Sequence, residues 1–177
     1  YKKGLLEVQD EGAQVAALLV DAKPGMQVAD FCSGAGGKTL VLAGLMKNSG
    51  RILALDTMKT RLAKAGIRIK RAGLHNVERK QIKNEDDPKL KRLAKKFDRV
   101  LVDAPCTGVG TWRRDPDARR KYNEQDLEEM IELQSRILTS AARLTKPGGR
   151  LIYVTCSLLP EENEQQVEKL IFRRKDY

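Results

Sequence analysis

Five short strand-like runs, each separated from the next by a helical or loop segment, restrict this chain more than any other feature. They are Gln27–Phe31, Arg51–Asp56, Val77–Ile82, Asp98–Asp103 and Arg150–Thr155. Helical spacing is clearest from Glu124 to Arg143, where Leu127, Met130, Ile131, Ile137, Leu138 and Ala141 share one face. Lys146-Pro147-Gly148-Gly149 is expected to end that helix and turn into the fifth strand. Asp10–Val20 predicts a short packing helix before the first strand. Pro160-Glu161-Glu162 predicts a helix start after the fifth, with proline and acid at its positive end. The expected class is α/β, a mostly parallel sheet with helices on both faces. Such sheets bind ligands at the carboxyl ends of their strands, so the residues after each strand are the first to inspect.

A length of 177 residues with 41% hydrophobic content suits a single domain over 1–177. No apolar run approaches the roughly 18 residues that cross a bilayer, and Tyr1-Lys2-Lys3 does not lead into a signal peptide, so a cytoplasmic protein with no membrane partner is expected. The cysteines stand at 32, 106 and 156, too far apart for a disulfide framework and without the Cys-x-x-Cys spacing of zinc sites; reduced thiols and no metal are expected. No interaction motif is visible, and a monomer is expected. The net charge is +10, and Thr57–Arg99 alone holds 15 Lys/Arg against 5 Asp/Glu. That density suits a polyanion, and it equally suits solvated helix faces such as the stripe Arg61, Lys64, Arg68 and Arg71.

After the first strand comes Cys32-Ser33-Gly34-Ala35-Gly36-Gly37-Lys38-Thr39. Glycines between a strand and a helix let the backbone approach a ligand, and the helix start offers free N–H groups. Gly37-Lys38-Thr39 resembles the end of a nucleotide phosphate loop, but Cys32 stands where that motif requires its first glycine. The second strand ends in Asp56, a carboxylate placed to accept ribose hydroxyls. Loop and acid together fit any adenosine-containing cofactor, whether a nicotinamide dinucleotide or S-adenosylmethionine. The dinucleotide fingerprint itself is not met.

The fourth strand runs into Asp103-Ala104-Pro105-Cys106-Thr107-Gly108, and the fifth into Thr155-Cys156-Ser157. A lone free cysteine is usually a small buried hydrophobe. Two at neighbouring strand ends beside a carboxylate point instead to reactive thiols in one crevice. With an adenosine cofactor, that set fits methylation of a pyrimidine at carbon 5. This carbon becomes nucleophilic once a thiolate adds to carbon 6, a donor supports ring nitrogen 3, and a base later removes the carbon 5 proton.

Asp103-Ala-Pro-Cys-Thr-Gly, Gly110-Thr-Trp-Arg-Arg-Asp-Pro-Asp117 and Tyr153-Val-Thr-Cys-Ser-Leu-Leu-Pro-Glu-Glu-Asn163 resemble the RNA 5-methylcytosine methyltransferase family, which includes bacterial 16S ribosomal RNA cytosine methyltransferases of the Sun/Fmu kind and eukaryotic nucleolar relatives. Val8-Gln9-Asp10 resembles the segment that precedes the family's cofactor fold. The resemblance implies a Rossmann-like class I fold using S-adenosylmethionine. It implies that Cys156 attacks carbon 6 of cytosine, that Cys106 helps release the RNA adduct, that Asp103 lies between cofactor and base, and that Lys38 lies near the reaction centre. It places Cys32, Ser33, Gly34, Ala35, Gly36, Gly37 and Lys38 around the methionine part of the cofactor, Asp56 on the ribose, and Asn84 or Glu85 at the adenine. Gly34-Ala35 stands where many relatives carry alanine-proline. The family's preceding RNA-recognition region and its final two strands are not found in this sequence, which reads as a catalytic-domain fragment.

Arg113, Arg114, Arg119, Arg120 and Lys121 surround Trp112, a mixture that could hold phosphates and stack a base. The partner implied is RNA, ribosomal more than transfer. Three other readings remain to be separated. A DNA cytosine methyltransferase would place the attacking thiol at Cys106; an inactive RNA-binding or ribosome-assembly module would transfer no methyl group; a dehydrogenase would give the two thiols no role.

Overall fold

The computed structural model describes residues 1–174 and omits the side chain of Lys121. The expected domain end at 177 and the expected Lys121 contact therefore lie outside the described residues. Five strands form one sheet: β1 (Gln27–Phe31), β2 (Arg51–Asp56), β3 (Val77–Gln81), β4 (Phe97–Asp103) and β5 (Thr145–Val154). Their order is β3-β2-β1-β4-β5, and every neighbouring pair is parallel. The helices are α1 (Glu11–Leu19), α2 (Gly37–Leu45), α3 (Lys59–Arg71), α4 (Pro88–Lys91), α5 (Pro116–Lys121), α6 (Glu124–Leu144) and α7 (Glu164–Arg173).

Alternation along the strands divides the core into two layers. Val28, Ile52 and Leu101 point to the face covered by Ala17 and Val20, by Leu42 and Ala43 of α2, and by Met46 just after it. Ala29, Phe31, Leu53, Leu55, Val100 and Val102 point to the opposite face, against Ile137, Leu138 and Ala141 of α6 and Leu170 of α7. Burial on both faces explains why β1, β2 and β4 read as nearly continuous apolar runs. Edge strand β3 carries exposed Glu78 and Arg79 instead. No described helix is long and apolar enough to cross a membrane.

β5 starts earlier than expected. Thr145 pairs with Phe97, and the next pair is Arg99 with Arg150, so Asp98 alone lies opposite Lys146-Pro147-Gly148-Gly149. Those residues bulge out of the ladder, with Gly148 at φ +74° and the Lys146 ammonium paired to Asp98. The predicted turn is thus present inside the strand, and α6 runs one residue further, to Leu144. Pro160–Glu162 forms a short 3-10 turn ahead of α7. Glu162, expected as an acid at a helix start, is 0% exposed.

Candidate active site

Between β1 and β4 the strand order reverses: β2 and β3 lie beyond β1, and β5 beyond β4. A crevice opens at the carboxyl ends of the strands at such a point. Into it run the loop after β1, the end of β2, and the cysteine loops after β4 and β5.

The loop after β1 is held tightly. The Cys32 and Ser33 amides both donate to the Leu55 carbonyl, at 3.0 and 2.8 Å. Cys32 has φ +79°, a left-handed conformation uncommon outside glycine and typical of functional loops. Asp56, at the end of β2, accepts from the Gly34 amide at 2.8 Å and from the Met58 amide at 2.7 Å. Each carboxylate oxygen retains a second lone pair. Arg68, read as part of a solvated stripe, donates to the Ala35 carbonyl at 2.9 Å and pairs with Glu7. Gly37 packs against the Gln9 side chain, which brings Val8-Gln9-Asp10 over the loop.

A cavity of about 380 Å³ lies in front of this loop, lined by Cys32, Gly34, Asp56, Glu85 and Asp103 and by the apolar Phe31, Ile82, Leu133 and Ile137. The expected cofactor residues therefore divide. Cys32, Gly34, Asp56, Glu85 and Asp103 face the cavity. The Ser33 hydroxyl is buried without a partner among the described residues, and Ala35, Gly36 and Gly37 pack on Arg68, Ala65 and Gln9. Asn84 does not line the cavity; its side chain caps the turn by accepting from the Asp86 amide at 3.1 Å. Glu85 is fixed by Arg136 at 2.6 Å, and although burial pushes its carboxyl up, that hydrogen bond and the Arg136 charge hold it below the usual value.

Asp30, not singled out from the sequence, is 1% exposed beneath the loop. One oxygen accepts from the Thr39 hydroxyl at 2.6 Å, and the other has no partner among the described residues. Burial raises its pKa from 3.8 to about 6; the Asp103 and Asp56 charges add to this, and Thr39 and Lys38 oppose it. The folded form holds this proton more tightly than the unfolded chain, so stability declines as pH rises from 3.8 through about 6, and the penalty is complete above that range. Its size is roughly 3 kcal/mol. Asp30→Asn keeps an acceptor for Thr39, and urea denaturation should show it more stable than the parent at pH 8, by roughly 1–3 kcal/mol, with the gap closing toward pH 4. An equal gap at both pH values would rule this account out.

The cysteines follow from the β4–β5 ladder. Asp103 pairs with Val154, and the Ala104 amide continues the ladder to the Val154 carbonyl at 2.9 Å. The chains then diverge only slightly, and the Cys106 and Cys156 sulfurs stand 3.0 Å apart. The Lys38 ammonium reaches across from α2 to Asp103 at 2.7 Å. A second cavity, of about 640 Å³, shares Asp103 and Cys156 with the first and is bounded by Lys38, Thr155, Arg113 and Arg114.

Two thiols this close share their protons. Cys106 is lowered to about 7 by the hydrogen bond from Cys156, with backbone amides assisting against burial. Cys156 is raised, first by that same bond to Cys106 and then by burial. One proton therefore leaves the pair easily and the second only with difficulty.

Arg113, Arg114, Arg119 and Arg120 are all exposed. Only the first two bound the second cavity, and Arg114 is paired with Asp10. The Trp112 ring packs edge-on against Tyr122, with ring centroids 5.5 Å apart.

Three residues that the sequence reading passed over organise the two cysteine loops. Glu162 accepts from the Thr107 amide at 2.8 Å, and Asn163 donates to the Ser157 carbonyl at 3.1 Å. The Gly110 amide donates to the Cys156 carbonyl at 3.0 Å, and a Cβ at Gly110 would lie 2.5 Å from that oxygen. Glu162 and Asn163 belong to a motif already noted, but nothing in their spacing marks Glu162 as buried or Asn163 as a partner of the second cysteine loop.

The profile of the family described as 16S rRNA methyltransferase RsmB/F matches residues 17–177. Ribosomal RNA small subunit methyltransferase B of Pectobacterium atrosepticum is 36% identical over 178 residues, covering 99% of this chain and 40% of that protein. The crystal structure of NSun6 from Pyrococcus horikoshii with SFG matches with a TM-score of 0.88 at 34% identity, over 97% of this chain and 43% of that one. A methyltransferase homolog protein from Pyrococcus horikoshii matches at 0.82 and 35% identity, over 97% of this chain and 52% of that one. The chain thus spans about 40% of the length of the curated relative it matches. With a profile match over nearly its whole length, this chain belongs to the 16S rRNA methyltransferase RsmB/F family.

Proposed function

We propose that this chain is the catalytic part of an S-adenosylmethionine-dependent methyltransferase acting on carbon 5 of a cytosine in ribosomal RNA, with Cys156 as nucleophile and Cys106 as the residue that releases the product. The observation that carries the reading is the pair of thiols 3.0 Å apart beside Asp103, at the junction of two cavities. The RNA class follows the names of the relatives, and action on ribosomal RNA in the cytoplasm is part of the same proposal.

The residues present fit the cofactor. The 380 Å³ cavity combines apolar walls with the Asp56 carboxylate, a buried unpartnered Ser33 hydroxyl lies in the loop, and the space a side chain would take at Gly34 is open. Asp56 would take the ribose, Ile82 and Ile137 the base, and the backbone from Cys32 to Gly34 the amino-acid end. When bound there, S-adenosylmethionine supplies a methyl group on a sulfonium, a strong electrophile.

The chain's own residues prepare the cytosine. The Cys156 proton passes to the Cys106 thiolate, and the Cys156 sulfur adds to carbon 6, moving the ring's electron pair toward carbon 5. The Asp103 carboxylate holds the Lys38 ammonium at 2.7 Å, and that ammonium is the donor that supports ring nitrogen 3 as negative charge develops there. After carbon 5 is methylated and Cys106 has lost its proton to solvent, the Cys106 thiolate takes the carbon 5 proton. The double bond re-forms, and the carbon–sulfur bond breaks with its electrons returning to Cys156.

One observation favours the reverse assignment, with Cys106 attacking: of the two thiols, Cys106 ionises more easily. A trapping experiment separates them. Protein carrying Cys106→Ala, incubated with unmethylated ribosomal RNA and S-adenosylmethionine, is expected to give an RNA adduct that survives denaturing electrophoresis and is lost when Cys156 is also replaced. An adduct formed by Cys156→Ala and not by Cys106→Ala would reverse the roles. Tight RNA binding with no methyl transfer by the unaltered protein would leave a binding module.

A further inference from the structure

We infer that the adjacent residues Glu162 and Asn163 are a positioning pair that holds the two cysteine loops in register and thereby sets the separation of the Cys106 and Cys156 sulfurs. The inference rests on the methyltransferase reading only for its catalytic consequence; the geometry stands by itself.

Each residue grips one loop on both sides of its cysteine. Glu162 accepts from the Thr107 amide at 2.8 Å and from the Thr107 hydroxyl at 2.5 Å. It also accepts from the Gln134 amide at 2.9 Å, and the same Gln134 nitrogen donates to the Pro105 carbonyl at 2.8 Å. The residues before and after Cys106 are thus tied to one carboxylate. Asn163 accepts from the Thr155 hydroxyl at 2.7 Å and donates to the Ser157 carbonyl at 3.1 Å and the Leu159 carbonyl at 2.9 Å. The residues before and after Cys156 are tied to one amide. Because Glu162 and Asn163 are linked by a peptide bond, neither loop can shift without dragging the other.

Burial makes the arrangement stiff. Glu162 is 0% exposed, and a carboxylate out of water needs its hydrogen bonds; three donors converge on it. The hydrogen bonds of both residues go to the loops and not to the sulfurs, so both act through the loops they hold. A site in which one thiol must pass a proton to another tolerates little looseness, and displacements on the order of 1 Å cost such sites about a hundredfold.

The test is a thiol titration without RNA or cofactor, following thiolate absorbance and iodoacetamide reactivity against pH in the parent, Glu162→Gln and Thr107→Val. The sign of the change discriminates. The Glu162 charge opposes ionisation of Cys106, so a purely electrostatic role predicts that Glu162→Gln lowers the thiol midpoint from about 7. Loss of register separates the sulfurs and raises the midpoint toward that of an isolated thiol, by a pH unit or about that. The expected result is a rise in Glu162→Gln and a smaller rise in Thr107→Val, which loses only the hydroxyl bond. Methyl-transfer kcat should fall at least about tenfold in Glu162→Gln with the KM for S-adenosylmethionine nearly unchanged. An unchanged or lowered midpoint overturns the inference, as does a raised midpoint with full kcat. If Glu162→Gln does not fold, Thr107→Val decides by the same signs. Absence of methyl transfer in the parent would sink the methyltransferase reading and leave the titration to judge the clamp.

Discussion

Cys156→Ala is expected to lower the rate of methyl transfer to RNA by on the order of 10⁴-fold while leaving S-adenosylmethionine binding within a few-fold of the parent. The proposed route has no substitute for this sulfur, since carbon 5 of cytosine does not attack a methyl sulfonium until carbon 6 carries a nucleophile. The loss should be in the chemical step, because Cys156 is exposed at the cavity junction and supports no part of the core. Single-turnover transfer from labelled S-adenosylmethionine reads the rate, and equilibrium binding reads the cofactor. A second readout needs no RNA. Cys106 owes its lowered value first to the hydrogen bond from Cys156, so its midpoint of about 7 should rise toward that of an ordinary thiol in Cys156→Ala. Retention of a tenth or more of the parent rate would exclude Cys156 as the nucleophile.

Asp103→Asn is expected to cost about 10²- to 10³-fold in turnover, a size typical of removing one charged group from a proton-transfer or charge-stabilising site. Asp103 borders both cavities and is held by Lys38 at 2.7 Å, the lysine side chain being 14% exposed and the aspartate 39%. The asparagine keeps the shape and removes the charge, which leaves a mostly buried ammonium without its counter-ion. The decrease should therefore fall on kcat more than on the KM for cofactor. Lys38→Met should reproduce part of it, and the double variant should cost less than the product of the two, because the residues act as one unit. Additive losses would mean that Lys38 and Asp103 work separately.

Much of the scaffold was legible because its periodicities are strong. β1 and β2 begin and end at the residues expected, since a strand buried on both faces reads as a nearly continuous apolar run and stops where a glycine loop or an acid meets the crevice. α1 begins after its Asp10 cap, whose side chain accepts from the Gly12 amide at 2.9 Å. The β5 boundary was less legible. A turn formed by Lys146 to Gly149 reads the same whether it precedes a strand or bulges from one, and only the pairing of Thr145 with Phe97 distinguishes the two.

The cysteines, Asp103, Lys38 and Asp56 could be named from the chain because each follows a strand or a glycine loop in a fold that gathers such residues at one end. Asn84 and Glu85 could not be told apart, since which of two neighbours turns inward depends on the turn that Asn84 caps and on the Arg136 side chain arriving from α6. Arg68 was read as solvated because helical spacing does not reveal that Ala35 and Glu7 lie beside it. The contact between Trp112 and Tyr122 was not legible, because Tyr122 reaches the ring only through the fold of the intervening chain.

What the sequence by itself determined is what short-range pattern controls: the alternation of strand and helix, the parallel sheet that follows from it, and the identity of the groups at the strand ends. Tertiary structure alone decided the 3.0 Å approach of the sulfurs, the raised pKa of Asp30, and the burial of Glu162 between the two cysteine loops. Each depends on residues distant along the chain meeting out of water, where a hydrogen bond or charge acts strongly and an unpaired one is costly. A local pattern carries no record of which partner will be there.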